Sequence, residues 1–301
     1  MPHAPFLDRK ETDDMPNATT RLKVAAVQFR SGDCLSGNLE RIGEHLARLA
    51  HQGVRVAAFP ECAATSYDKA VIPTIGEDQL REAEARLATE CRRAGIYAVV
   101  GIPYFEDGRR YNGALVWNPE GACIARYAKI QLAGEDWCEA GERFALFHVD
   151  DVLCSVIICH DERYPELVRL PVLAGAQLVF YISCESDITA ESKIDPYRAQ
   201  IRARAVENTI YVVQSNAPMG PVVVENGKVR GTSAASNGHS RIIRPDGNLI
   251  AEASMFGEDV LVAELDMSAA TRGLAERSLQ CSFLRTWWEA GLKLVAPPAQ
   301  A

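Results

Sequence analysis

Short apolar runs alternate with segments of helical spacing along almost the whole chain, and this alternation constrains the fold more than any other feature. LKVAAVQF (22–29) reads as a strand, NLERIGEHLARLAHQG (38–53) as a helix with a glycine stop, and VRVAAFPE (54–61) as a strand again. EDQLREAEARLATECRRAG (77–95) is a long amphipathic helix, followed by a strand in IYAVVGIP (96–103). NGALVWNPEGACIARYAK (112–129) predicts a hairpin, because Asn118-Pro119-Glu120-Gly121 is a turn signal between two apolar runs. VLCSVII, a helix near 165–174 and QLVFYIS (177–183) repeat the strand-helix-strand order. DPYRAQIRARAVENT (195–209) is helical, with Asp195 placed to cap it and Pro196 at its first position. TIYVVQSN (209–216) is a strand, HSRIIRPDGNLIAEA (239–253) a second hairpin around Pro245-Asp246-Gly247, and DVLVAELD (259–266) a last strand. The pattern is that of an α/β fold. No long linker interrupts it, so one domain is expected over 22–285, with a flexible arm at 1–21 and a tail at 286–301. Phe283, Trp287 and Trp288 stand outside the alternation, an apolar surface suited to the chain's own domain or to a second subunit.

The charge balance excludes several classes of partner. A formal net charge of -8 leaves no basic face for nucleic acid or an anionic membrane. No apolar run approaches the roughly 20 residues of a membrane helix, and the polar first residues hold no secretory apolar core. The nine cysteines are odd in number, contain no CxxC pair and mostly lie in apolar contexts, as expected of reduced thiols in a cytoplasmic protein. The six histidines are scattered, and none pairs with another His or Cys at a metal-ligand spacing. Neither a metal nor an organic cofactor is expected.

VIICHDERYPELVRL (156–170) places a thiol where an apolar strand stops and a helix is about to start. Most cysteines in such strands are core residues, and position is what distinguishes Cys159. The end of an α/β strand is exposed where sites form, and a nearby helix N-terminus is expected to lower the thiol pKa. A reactive thiol also needs a base and a donor for the charge it creates. Glu61 follows the second strand directly after Pro60, Lys129 ends the first hairpin in RYAKIQL, and Glu135 lies in AGEDWCEAGERF near Trp137 and a glycine turn at Gly141. Each taken singly is an ordinary surface residue.

Taken in order, FPE, YAKIQL, ExW with its glycine, CHDERYPE and RARAVEN resemble the nitrilase superfamily of carbon–nitrogen hydrolases over most of the chain. The resemblance implies a four-layer α-β-β-α sandwich and a homo-oligomer, a dimer or higher, formed next to the active site. It also implies that Glu61 is the general base, Lys129 the oxyanion stabiliser, Cys159 the nucleophile and Glu135 the second glutamate, with Glu139 and Glu142 as neighbours in competition for that last place. The chemistry is coherent. Cys159 attacks a carbonyl carbon as Glu61 takes its proton, and Lys129 with the backbone N–H of His160 meets the oxyanion. Ammonia or an amine leaves, and water hydrolyses the thioester.

His160-Asp161 after the nucleophile resembles the amidase and carbamoylase branches rather than true nitrilases, which usually carry Trp-Glu there. The expected substrate is a small linear amide or N-carbamoyl compound. Glu162-Arg163 stands where D-carbamoylases have two arginines, so Arg163 keeps half of a substrate-carboxylate anchor. His160, Tyr67 and Glu185 complete the expected substrate contacts, Glu185 being suited to an amine-bearing substrate or to a role behind the pocket. An acyl-transfer enzyme or a non-catalytic interaction protein on the same fold is the alternative from another class, the latter being expected to have lost Glu61, Lys129 or Cys159.

Overall fold

The computed structural model describes residues 21–185, 194–220, 222–225, 228–231 and 236–295. The expected N-terminal arm therefore lies outside the described residues except for Arg21, and so do residues 296–301 of the tail. The chain order opens with β1 (Arg21–Gln28), α1 (Leu35–His51), β2 (Val56–Ala58), α2 (Glu77–Ala94) and β3 (Tyr97–Gly101). Four short strands follow: β4 (Tyr104–Glu106), β5 (Arg109–Tyr111), β6 (Gly113–Trp117) and β7 (Cys123–Ala128). Next come β8 (Leu146–Val149), β9 (Val152–Ile158), α3 (Glu166–Leu173), β10 (Leu178–Ser183), α4 (Ile194–Asn208) and β11 (Tyr211–Asn216). The chain closes with β12 (Val222–Glu225), β13 (Lys228–Gly231), β14 (Arg241–Ile243), β15 (Leu249–Glu252), β16 (Asp259–Asp266), α5 (Gly273–Gln280) and α6 (Ser282–Leu292).

Two six-stranded sheets carry the fold, in the orders β16-β1-β2-β3-β6-β7 and β15-β14-β11-β10-β9-β8. Side chains alternate across each strand, so every strand contributes to two layers. In β1, Val24 and Ala26 face the other sheet, where they join Val156, Phe180 and Val213. Ala25 and Val27 face the opposite way, against Ile42 and Leu46 of α1 and Leu80 and Leu87 of α2. The second sheet repeats this arrangement with Val179 and Tyr181 turned toward Val168 of α3 and Ile201 of α4. Four layers result, helices outside and two sheets within, which is the sandwich expected. Because both faces of both sheets are covered, strands such as LVFYIS are buried throughout.

Several local outcomes differ from the sequence reading. VRVAAFPE keeps only three residues in the ladder, since Pro60 has no N–H to donate and the chain turns away toward Glu61. Tyr104–Tyr111, unassigned from sequence, is a tight hairpin whose Asp107 and Gly108 both have positive φ, the backbone that a two-residue turn of this twist requires. The expected tail is helical. α6 runs across residue 285, half-buries Trp288 under Arg169 of α3, and brings Gly291 against Leu170 so closely that an added Cβ would lie 2.6 Å from it. Phe283 and Trp287 remain exposed on its other side. Among the described residues no helix is long and apolar enough to cross a membrane.

Candidate active site

The site residues stand just past the strand ends. Glu61 follows β2, Lys129 follows β7, Cys159 follows β9, and Cys184 and Glu185 follow β10. Two glycines make this convergence possible. A Cβ on Gly101, at the end of β3, would lie 2.1 Å from the carbonyl oxygen of Pro60 and 2.6 Å from Glu61 Cα, so only glycine lets the Glu61 backbone settle there. Gly141 is likewise a close-approach residue and not the turn expected from sequence. Its N–H donates to the Lys129 carbonyl at 2.8 Å, and a Cβ would lie 2.2 Å from the carbonyl oxygen of Ala128.

Lys129 is fully buried between two carboxylates. Its ammonium donates to Glu61 Oε1 at 2.8 Å and to Glu135 Oε1 at very short range. Glu139 and Glu142 are exposed, so the carboxylate facing Lys129 is that of Glu135. Asn112 Nδ2 also donates to Glu61 Oε1, at 2.8 Å, and the Cys184 N–H donates to Glu61 Oε2 at 2.9 Å. The Tyr67 hydroxyl donates to Glu135 Oε1 at 2.8 Å, and the Ala133 N–H donates to Glu135 Oε2. Both carboxylates are thus held by fixed donors, a geometry that leaves little reorganisation for a reaction step.

The electrostatics agree with that arrangement. Burial alone pushes the Lys129 pKa down, but Glu61, Cys159 and Glu135 outweigh it and hold it well above its ordinary value. Burial raises Glu135, yet the Lys129 charge and its hydrogen bond bring the carboxyl below its usual range. At neutral pH the trio therefore contains a cation and a Glu135 anion.

Cys159 corrects one expectation. Six residues separate it from the start of α3, and a tight helical turn over Cys159–Arg163 fills most of the gap. Helix-terminus fields fade within one turn. Burial and then Glu61 push the thiol well above its ordinary pKa, with Lys129 opposing. The thiol is protonated at rest and needs a base. Its backbone has φ +47, a left-handed conformation costing a non-glycine residue on the order of 1–2 kcal/mol, and this sharp bend ends β9 at the sulfur. Asp161 holds the bend, and the sequence reading passed it over. Its Oδ2 accepts from the Ile158 N–H at 3.0 Å and the Tyr127 hydroxyl at 2.8 Å, and its Oδ1 accepts from the Gln131 N–H at 2.8 Å.

The four expected substrate contacts separate. Tyr67 is buried on Glu135. His160 is half-buried with its ring edge-on to Tyr164 at 5.8 Å. Arg163 is exposed, donates to the Tyr197 hydroxyl at 2.6 Å and stacks on its ring. Glu185 is buried behind the strand end, where Oε1 accepts from the Tyr181 hydroxyl at 3.0 Å. Asn112 was missed because a lone Asn before a strand reads as a turn residue; its burial is a tertiary fact. Among the described residues no group of three His, Cys, Asp or Glu is arranged to hold a metal ion.

The model of the carbon–nitrogen hydrolase family matches residues 23–272. This chain belongs to the carbon–nitrogen hydrolase family. Among similar proteins, the omega-amidase NIT2 of Xenopus tropicalis is 29% identical over 259 residues, covering 82% of this chain and 89% of that protein. The omega-amidase NIT2 of Homo sapiens is 25% identical over 260 residues, covering 82% and 90%. The structure of an amidase from Nesterenkonia sp. AN1 superposes with a TM-score of 0.74 at 26% identity, covering 88% of this chain and 99% of that one. The layered fold of this chain matches that of the amidase.

Proposed function

We propose that this carbon–nitrogen hydrolase cleaves the C–N bond of a small linear amide through a thioester on Cys159. The observation that carries the reading is the fully buried Lys129 between Glu61 and Glu135, because it joins a base and a cation beside a thiol that needs both. Glu61 takes the thiol proton as sulfur attacks the carbonyl carbon, and later delivers a proton to the departing nitrogen. Lys129 and a backbone N–H of the Cys159 turn stabilise the oxyanion. Glu135, fixed by Tyr67, keeps Lys129 charged and in place. Water then adds to the thioester with Glu61 as its base.

Relatives named as omega-amidases and an amidase of similar fold favour an amide substrate over an N-carbamoyl one. The Tyr197 bond and stacking that engage Arg163 point the same way. The assembly is read as a homodimer or higher oligomer, with the exposed Phe283 and Trp287 of α6 in its interface. The test measures ammonia and carbon dioxide separately from a panel of small amides, N-carbamoyl compounds and nitriles. Ammonia without carbon dioxide from amides, absent in Cys159→Ala, is the expected result. Carbon dioxide release would instead select the carbamoyl reading, and undiminished turnover by Cys159→Ala would remove Cys159 as the nucleophile.

A further inference from the structure

A second pair of carboxyls lies directly behind the site. Glu162 is completely buried, and among the described residues neither of its carboxylate oxygens has a partner within hydrogen-bond distance, although the hydroxyl of Tyr181 stands beside it as a weak donor. Glu185 is also buried, and its Oε1 accepts from the Tyr181 hydroxyl at 3.0 Å and from Gln214 Nε2 at 3.4 Å.

The charged groups packed around the pair are engaged elsewhere. From β14, Arg241 Nε donates to Glu252 Oε1 at 2.8 Å and its Nη1 to Gln214 Oε1 at 3.2 Å. From α4, Arg204 Nε donates to the backbone carbonyl of Glu162 at 3.0 Å while its Nη1 pairs with Glu207. On the turn itself, Arg163 donates to Tyr197 of α4. Toward the pocket lie Glu61 and Cys159, which add no cation, and Lys129 is held by Glu61 and Glu135. Like charges in close contact repel by about 4 kcal/mol at an effective dielectric of about 20, so a buried site that holds two carboxyls and, among the described residues, no free cation disfavours ionising both. Burial and then the Glu185 charge push Glu162 well up, and burial raises Glu185 although Arg241 pulls it down.

Each member of the pair adjoins a residue that holds the site together. Glu162 follows Asp161, whose carboxylate anchors the Cys159 turn. Glu185 follows Cys184, whose N–H holds Glu61. We propose that Glu162 and Glu185 keep one proton between them and act as positioning residues, fastening the nucleophile's turn to the loop that fixes the general base. Removing that proton at alkaline pH places two like charges between the two loops and separates Cys159 from Glu61. The positioning role rests on the reading of Cys159 and Glu61 as nucleophile and base. The shared proton does not.

Infrared spectroscopy tests the proton directly. The wild-type protein at neutral pH is expected to show a carboxylic-acid C=O band that Glu162→Gln removes, Glu185→Gln shifts and Tyr181→Phe retains. Spectra identical in wild type and both Gln variants would overturn the proposal. Thermal melts give an independent check. A carboxyl raised in the folded state costs nothing below its unfolded pKa, and its cost grows as pH rises toward the folded pKa. Glu162→Gln is therefore expected to raise the melting temperature near pH 8 and to leave it almost unchanged near pH 4. A lowered melting temperature near pH 8 would mean an ionised, paired Glu162 and would overturn it. Finally, the alkaline limb of kcat/KM is expected to move to higher pH in Glu162→Gln. A band that disappears with an unmoved limb would overturn the positioning role while leaving the hydrolase reading intact.

Discussion

At the residue scale, Lys129 is held by two carboxylates in a site that the proposed reaction would also use. A buried ammonium flanked by two carboxylates is tolerable only as a set, since removing one partner strands the others. Lys129→Ala is expected to lower the rate by at least about 100-fold, or about 2.7 kcal/mol, through the lost oxyanion donor. It should also destabilise the fold by about 3–5 kcal/mol, because two carboxylates are left unpaired. Steady-state ammonia release and thermal melts separate the two effects, and a variant within threefold of wild-type rate would leave Lys129 a structural role only. Cys159→Ala removes no hydrogen bond from this set and relieves no buried charge, so it should melt within a few degrees of wild type while turnover disappears. Tyr67, expected from sequence as a substrate contact, instead holds Glu135. Sequence marks the residue type but not which neighbour its hydroxyl reaches.

At the element scale, the site depends on strands ending in register. β9 and β10 pair in parallel from Leu178↔Cys154 to Ile182↔Ile158, so Cys159 leaves the sheet level with Ser183, the last residue of β10. β3 must then let the Pro60–Glu61 backbone pass over its last residue, which is Gly101. Gly101→Ala is predicted to abolish activity and to cost about 1–3 kcal/mol, the usual penalty of overpacking, because the clash is with backbone and no side chain can rotate away. Amide release and chemical denaturation measure both, and a fully active Gly101→Ala protein would show that Glu61 is placed by other contacts. The hairpins at Asn118–Gly121 and Pro245–Gly247 were legible because turn residues act locally. The bend at Cys159 was not. It is set by Asp161 reaching Ile158, Gln131 and Tyr127, the last two contributed by a distant part of the chain.

At the scale of the whole molecule, the exposed side of α6 is the clearest unfinished surface. Phe283 is 88% exposed and Trp287 53%, while Trp288 on the same helix is half-buried against α3. Phe283→Ser with Trp287→Ser is expected to turn an oligomer into a 33.0 kDa monomer in light scattering while the melting temperature changes little. A wild-type protein already monomeric at that mass would remove α6 from any interface. The family, the α/β alternation, the two main hairpins and the order of Glu61, Lys129, Glu135 and Cys159 were all present in the sequence, because periodicity, turn chemistry and motif spacing are properties of neighbouring residues. Tertiary structure alone set Glu135 against Lys129 while leaving Glu139 and Glu142 exposed, raised the Cys159 thiol instead of lowering it, turned Glu185 toward Tyr181, and buried Glu162 with no partner within hydrogen-bond distance among the described residues. Burial and the approach of groups far apart in the chain decide such matters, and a linear order of residues contains neither.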